Sequence, residues 1–443
     1  MSASSSPPLA AVIMAAGLGT RMKSSLPKHL HPLLGRRLVD WVVDAARALH
    51  PDPLVVVTSP EHREAFGGVV VAVQEQPHGT GDAVRAARGA VAGARDLLVL
   101  SGDHPLLTPA ALEELVDAHR ASGAAATVLS FEPPDPRSYG RIVRDGDGRL
   151  RAIVEAADAT SEELALREVN SSIYVFDAEL LWPALDRLEP HNAQSELYLT
   201  DAVRDLVDAG GRVAVHRAAD SAEIEGVNTR AELAAAAAVL RDRVNERHLL
   251  AGVTIVDPAT TWIDASVELA RDAVVEPFTV LRGSTRVGEG AQIGPHAVVV
   301  DAEICPGALV GPFCYVRPGT VLEDGAKAGT FVELKQAHIG SGAKVPHLSY
   351  IGDAEVGEGT NVGAGTITAN LGHRPGAGKQ RTVVGRDVKI GIQNSLVAPV
   401  EIGDGSWTAP HSAITEDVPP DSLAGFPPRQ ETKEGYVRDE RDD

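Results

Sequence analysis

Val287-Gly288-Glu289-Gly290-Ala291-Gln292-Ile293-Gly294-Pro295-His296-Ala297-Val298-Val299 decides the fold of the C-terminal half. An aliphatic residue returns at every sixth position, at Val287, Ile293 and Val299, and glycine follows the first two. Toward the N-terminus the same beat takes in Ile263, Leu269, Val275 and Leu281. Toward the C-terminus it slips by one residue and continues at Ile304, Val310, Val316, Leu322, Ala328 and Leu334. It resumes at Ile339, Val345 and Ile351, and again at Val384, Ile390, Leu396, Ile402, Thr408 and Ile414. Neither a helix nor an ordinary strand repeats in sixes. A parallel β-helix does, with triangular coils of three hexads and one inward aliphatic residue per hexad. Residues 252–428 are assigned to it, and the charged stretch 429–443 to a solvated tail.

Residues 1–228 read differently. The β-branched runs Ala10–Met14, Leu54–Val57, Asp96–Leu100 and Ala125–Leu129 alternate with helical stretches such as Leu38–Leu49 and Pro109–Arg120. Strand and helix in alternation give a Rossmann-like, mainly parallel α/β/α domain, whose ligands gather at the carboxyl ends of the strands. Between the two parts, residues 229–251 carry an Ala-rich core (Ala234 to Ala238) with no Pro or Gly, and predict one long linker helix.

The bulk figures narrow the partners. A formal charge of −20 disfavours nucleic acid and anionic membrane as partners, so an anionic substrate must meet local cations. The apolar run Leu9 to Ala16 is far too short to span a membrane and runs straight into a glycine turn, so a cytoplasmic protein is expected. Two cysteines, Cys305 and Cys314, offer neither a disulfide framework nor a zinc cluster.

Ala15-Ala16-Gly17-Leu18-Gly19-Thr20-Arg21-Met22 follows the first strand at once, where backbone N–H groups can face a phosphate chain. It lacks the third glycine of a dinucleotide fingerprint and the Gly-Lys-Ser/Thr of a P-loop. Arg21 and Lys28 put two cations beside this turn, which suits charge developing on an α-phosphate and a departing pyrophosphate. Asp103 ends the strand starting at Asp96, where a parallel sheet presents metal ligands.

Further stretches follow in order: Gln74 with Gly79-Thr80-Gly81, Ser101-Gly102-Asp103, Tyr139-Gly140-Arg141-Ile142, Glu155, Asn170, Asn192-Ala193-Gln194 and Glu225-Gly226-Val227-Asn228. In the β-helix come Arg317-Pro318-Gly319, Phe331-Val332-Glu333-Leu334-Lys335, Pro346-His347-Leu348-Ser349-Tyr350 and Asn361-Val362-Gly363-Ala364-Gly365. Together they resemble the bacterial bifunctional N-acetylglucosamine-1-phosphate uridyltransferase and glucosamine-1-phosphate acetyltransferase over nearly the whole chain.

That resemblance implies a left-handed β-helix, homotrimers, and two activities that use UTP, a sugar 1-phosphate and acetyl-CoA. It implies Mg²⁺ on Asp103 and Asn228, the nucleotide against Ala15, Ala16 and Gly17, and uracil near Gln74 and Gly79. Thr80, Gly140, Glu155 and Asn170 would grip the amino sugar. In the β-helix, His347 would be the base, which suits an imidazole near neutral pH. Arg317 and Lys335 would hold the sugar phosphate, Tyr350 and Asn361 the ring and amine, and Ala364 and Asn370 would lie beside acetyl-CoA.

The chain departs from the pattern at several points. Ser171-Ser172 stand where Thr or Ala and then Gly are usual, and Ala156-Ala157 replace larger polar residues. The stretch after Asn370 is altered and lengthened, and Ile392, Pro410 and Pro427 fall on the acetyl-CoA side. Either both activities are present, or the chain is a nucleotidyltransferase alone with an altered or lost acetyl site.

Overall fold

The computed structural model describes residues 8–17, 19–136, 138–372, 378–425, 430–434 and 436. Leu18, the stretch 373–377, Pro427 and most of the predicted tail lie outside the described residues. The chain forms two units, 1–240 and 241–443.

In the first unit, strands β1 (Leu9–Met14), β2 (Leu54–Thr58), β3 (Val70–Val73) and β4 (Asp96–Ser101) pair in parallel, with β1 between β4 and β2. The sheet continues through β5 (Ala126–Phe131), the hairpin β6 (Arg141–Arg144) and β7 (Leu150–Val154), then β8 (Val169–Asp177) and β9 (Val213–Arg217). The main path runs β9-β5-β8-β4-β1-β2-β3. Only β8 runs against its neighbours β4 and β5 on that path.

Successive residues of β1 point to opposite faces. Ala11 and Ile13 pack with helices α1 (Leu38–Arg47) and α3 (Pro109–Ser122), while Ala10 and Val12 pack with α2 (Thr80–Ala86), α4 (Ala178–Asp186) and α5 (Leu199–Asp208). A strand buried on both faces has no polar alternation, which is why β1 reads as an unbroken apolar run.

Helix α6 spans Arg230–Leu250, close to the span predicted. The division between the units falls inside it. Ala236 and Leu240 are buried with Leu33, Leu38, Leu106 and Val227, whereas the Asn245 amide donates to the carbonyls of Pro258 and Thr261 at 2.9 and 3.0 Å. Each half of the helix is therefore tied to its own unit.

The second unit is a left-handed parallel β-helix. One coil carries Val275 onto Ile293, and the next carries Ile293 onto Val310. The hexad residues face inward and are buried, save Leu269, which is half-buried near the start of the helix. The sequence pattern omits one series that the structure supplies: after Ile351 the beat slips again, to Val356, Val362 and Thr368, all buried. Small buried residues stack just before the strands, as in Ala273, Ala291, Ala308, Ala326 and Ala343, because a larger side chain would not fit where the coil turns.

Cys314 occupies such a small-residue column. Burial pushes its thiol up to about 12, and its Sγ donates to the Val332 carbonyl at 3.2 Å, so it packs as a small hydrophobe. At one corner Phe278, His296, Phe313 and Phe331 stack with ring centroids 4.7, 4.8 and 5.3 Å apart. The three phenylalanines in this ladder are exposed. Among the described residues, no helix is long and apolar enough to cross a membrane.

Candidate functional site

Pairing of Met14 with Ser101 makes β1 and β4 end side by side. The turn from Ala15 and the segment Gly102-Asp103 therefore leave the carboxyl edge together, with Gly102 N donating to Met14 O at 2.9 Å. A cleft of about 490 Å³ opens there. Ala15, Ala16, Gly17, Arg21, Lys28, Gln74, Gly79, Thr80, Asp103 and Asn228 all line it, though they come from widely separated stretches of chain.

Lys28 is the centre of this arrangement. Its ammonium donates to Asp103 Oδ2 in a short contact and to Asn228 Oδ1 at 2.9 Å, and Arg21 donates to the same Asn228 oxygen at 2.9 Å. Asp103 also accepts from Ser101 Oγ at 2.6 Å and lies 2.8 Å from His104 Nδ1. Burial alone would raise this carboxyl, but the Lys28 and His104 contacts outweigh it and hold Asp103 well below the usual carboxylate range. Asp103 does not cap the following helix, a role taken by Thr108, whose hydroxyl accepts from Ala111 N.

Asn228 reaches the cleft because Val227 N donates to Asp103 O at 2.8 Å, and Glu232 accepts from Asn228 N at 2.6 Å as helix α6 begins. Two glycines make the geometry possible. A Cβ on Gly19, at φ +64°, would stand 2.4 Å from the Lys28 Cβ. One on Gly79, at φ +109°, would stand 2.6 Å from the Leu197 carbonyl oxygen.

Beside the cleft, a recess of about 190 Å³ is lined by Thr80, Glu155, Ser172, Tyr174, Gln194 and Glu196. Burial pushes the Glu155 carboxyl above its ordinary range even though the Thr200 hydroxyl donates to it at 3.2 Å. Gly140 presents its carbonyl to Asn170 N at 2.8 Å. Asn170 is itself buried behind this wall, with its amide donating to the Tyr174 hydroxyl at 2.7 Å.

No motif in the sequence marks His29 and Glu196 as wall residues, whereas Ser172, a departure from the family pattern, does line the wall. His29 directly follows Lys28, and Glu196 lies two residues beyond Gln194, so adjacency to the motifs was the available signal. Burial drives His29 down to about 4, so it is a neutral imidazole in the wall.

In the β-helix, the strand pairing stacks Tyr315, Glu333 and Tyr350 in one outward column. Arg317 pairs with Glu333 at 2.8 Å and lies 5.8 Å from the Tyr315 ring. Lys335 and Lys379 approach Asp353 Oδ2 at 3.7 and 3.9 Å, and the Asn370 amide donates to the same oxygen. Lys335 has its pKa lowered, first by its contact with Lys379, despite the Asp353 charge.

His347 ends a strand at an exposed corner, two residues before buried Ser349, whose hydroxyl donates to the His347 carbonyl at 2.7 Å. Asn361 pairs in register with Lys344, and Ala364 follows on the next turn. Among the described residues, no hydrogen bond or ion pair ties His347, Asn361 or Ala364 to the lysine–Asp353 cluster. Asn370, which the resemblance puts beside acetyl-CoA with Ala364, has its amide on the Asp353 oxygen that the two lysines approach. Ile392 and Pro410 are exposed. His338, whose ring nitrogen lies 2.6 Å from Glu323, belongs to no group of three or more His, Cys, Asp or Glu able to hold a metal among the described residues.

A phosphate-facing turn with its cations at the carboxyl edge of a mainly parallel sheet is nucleotidyltransferase architecture, here followed by a hexapeptide β-helix. Residues 11–168 match the family described as MobA-like NTP transferase domain. The protein named Bifunctional protein GlmU from Streptomyces avermitilis is 46% identical, over 98% of this chain and 95% of that protein. The protein of the same name from Thermobifida fusca is 45% identical, over 99% and 96%. That from Streptomyces griseus is 47% identical, over 100% and 96%. The chain belongs to the GlmU family of bifunctional proteins.

Proposed function

We propose that the chain makes UDP-N-acetylglucosamine in two steps, acetylating glucosamine 1-phosphate at the β-helix and joining the product to UMP from UTP in the N-terminal cleft. The observation that carries the reading is the convergence of Arg21, Lys28, Asp103 and Asn228 on one point of a phosphate-facing turn.

No nucleophilic side chain is needed for uridylyl transfer. A phosphate oxygen of the sugar 1-phosphate forms a bond to the α-phosphorus of UTP as the bond to pyrophosphate breaks, so the protein contributes alignment and charge neutralisation. Backbone N–H groups of Ala16 and Gly17 would cradle the phosphates, with Ala15, whose own N–H donates to the Val57 carbonyl at 2.8 Å, lining the nucleotide beside them and Gln74 and Gly79 at the uracil. Thr80, Glu155 and Gly140 would hold the sugar, and Asn170 would brace Tyr174 behind it. Arg21 and Lys28 neutralise the charge that grows on the α-phosphate and the leaving pyrophosphate.

The cleft fits Mg²⁺. Asp103 and Asn228 present two hard oxygens to a single cation position, which the Lys28 ammonium fills here, and Mg²⁺ binds through one or two such oxygens with phosphates and water completing its shell. When bound, Mg²⁺ would add positive charge at the phosphate chain.

In the acetyl transfer, His347 would take a proton from the sugar ammonium, and the freed amine would attack the thioester carbonyl; as the C–S bond breaks, the second proton lost from nitrogen completes the coenzyme thiol. Arg317 and Lys335 would hold the sugar phosphate, with Tyr350 and Asn361 at the ring and Ala364 and Asn370 toward the donor. Homotrimers are part of this reading. The exposed Phe278, Phe313 and Phe331 edges support association of the β-helix with copies of itself. A cytoplasmic location, where UTP and acetyl-CoA are at hand, belongs to the same proposal.

Incubation with glucosamine 1-phosphate, acetyl-CoA, UTP and Mg²⁺ should release one free thiol and one pyrophosphate per UDP-N-acetylglucosamine formed. Pyrophosphate without thiol, from N-acetylglucosamine 1-phosphate alone, would reduce the chain to a nucleotidyltransferase.

A further inference from the structure

Gln74 directly follows β3, its backbone N–H donating to Thr58 O at 2.9 Å, and its side chain is buried in the cleft wall. A carboxamide has a donor end and an acceptor end, so which end faces a ligand decides what it recognises. Here the neighbours tell the two ends apart. Gln74 Nε2 donates to the Gly79 carbonyl at 3.1 Å and to Asp82 Oδ2 at 3.0 Å. Neither a carbonyl nor a carboxylate can donate, so the nitrogen lies on that side and both its hydrogens are taken. Oε1 is left as the acceptor, without a partner among the described residues, on a side chain that lines the cleft.

Asp82 lies behind this arrangement, in the first turn of α2. With Arg85 it lines a second cavity, of about 390 Å³, that shares Gln74 with the cleft. Two further bonds hold the carboxylate in place. Gly81 N donates to Leu197 O at 2.8 Å and fixes the turn, and Arg85 donates to Asp82 Oδ1 at 2.7 Å. Each carboxylate oxygen therefore has its own donor. Turning the Gln74 amide over would set Oε1 against two acceptors, of which Asp82 is the charged and stronger one.

We propose that Asp82 is a positioning residue for base selection, locking the Gln74 amide so that its Oε1 meets the nucleobase as an acceptor. Uracil carries a proton on N3 and can donate to Oε1, whereas cytosine N3 is itself an acceptor and sets lone pair against lone pair. An amide free to turn over would donate from Nε2 to cytosine N3, and the distinction would be lost. The inference rests on the uridylyl reading, which puts the base at Gln74, and adds to it a residue that touches no substrate.

The test uses the full chain with N-acetylglucosamine 1-phosphate and Mg²⁺, reading pyrophosphate release with UTP and with CTP. In Asp82→Ala, and in the bulkier Asp82→Leu should alanine not fold, the ratio of kcat/KM for UTP over CTP should fall about tenfold, the worth of one hydrogen bond to a charged group. Asp82→Asn keeps an oxygen for Nε2 while Arg85, which is open to solvent, turns away, so it should restore most of the ratio. A merely structural role would give no such rescue. An asparagine ratio as low as that of alanine overturns the lock. A wild-type ratio in the alanine and leucine variants, with its loss in Gln74→Leu, overturns the role of Asp82 and leaves the base at Gln74. A wild-type ratio in Gln74→Leu as well overturns that placement too.

Discussion

The N-terminal cleft and the β-helix cluster collect polar side chains in opposite ways. In the cleft, residues from the first thirty to position 228 meet because parallel strands all deliver their carboxyl ends to one edge. Lys28 already pairs with Asp103 there, and Asn228 accepts from both Lys28 and Arg21, so the cations are oriented before any substrate arrives. On the β-helix, outward residues are dealt onto flat faces by a repeating coil. Arg317, Lys335, Lys379 and Asp353 gather on one of them, and His347 and Asn361 stand apart. A concave α/β edge can complete a site within one chain. A flat prism face leaves such groups spread across its surface.

That contrast can be broken most directly by removing the base. His347→Ala should lower acetyl transfer, read as thiol release, by about 10²–10⁴-fold while pyrophosphate release keeps its wild-type rate. Loss of both activities would show that the two regions are not independent. In the other direction, Asp103→Ala should lower pyrophosphate release by about 10²–10³-fold, because Lys28 and the metal position lose their shared carboxylate. Full activity in that variant would overturn the metal assignment.

A smaller effect separates binding from chemistry on the prism. Lys335→Ala should raise KM for glucosamine 1-phosphate about tenfold with kcat little changed, since it removes a charge-assisted contact to phosphate. The same shift in kcat would place Lys335 in the reacting geometry instead.

The smallest expected effect is a pH-dependent one in the recess. Burial raises the Glu155 carboxyl above its ordinary value, so the folded protein holds that proton to higher pH than the unfolded chain does. Stability from this group therefore falls as pH rises through the raised pKa, and ionised Glu155 is a cost at neutral pH. Glu155→Gln should melt roughly 2–4 °C higher than wild type at pH 8, with the gap closing as pH falls through the raised pKa. A gap that widens on acidification would reverse the assigned sign.

Much of this was legible before folding was considered. The hexad beat identified the β-helix because each inward position must be aliphatic and each turn must be small, so the fold is written locally and repeatedly. Its one missed series, Val356 to Thr368, follows a further one-residue slip that the eye loses but the hydrogen-bond ladder does not. The phosphate-facing turn was equally clear, because a glycine pair right after a strand and two nearby cations are adjacent in sequence as well as in space.

The sequence by itself determined the two architectures, the cations and carboxylates, and their order along the chain. Tertiary structure alone decided which of them meet. It set Lys28 between Asp103 and Asn228, put the Asn370 amide on Asp353 beside the lysines, and split helix α6 between the units. It also turned Ser172 into the recess through a strand bulge. The physical reason is range. Periodicity and propensity act over a few residues, whereas a site depends on strand order, register and a few non-local hydrogen bonds that no short segment encodes.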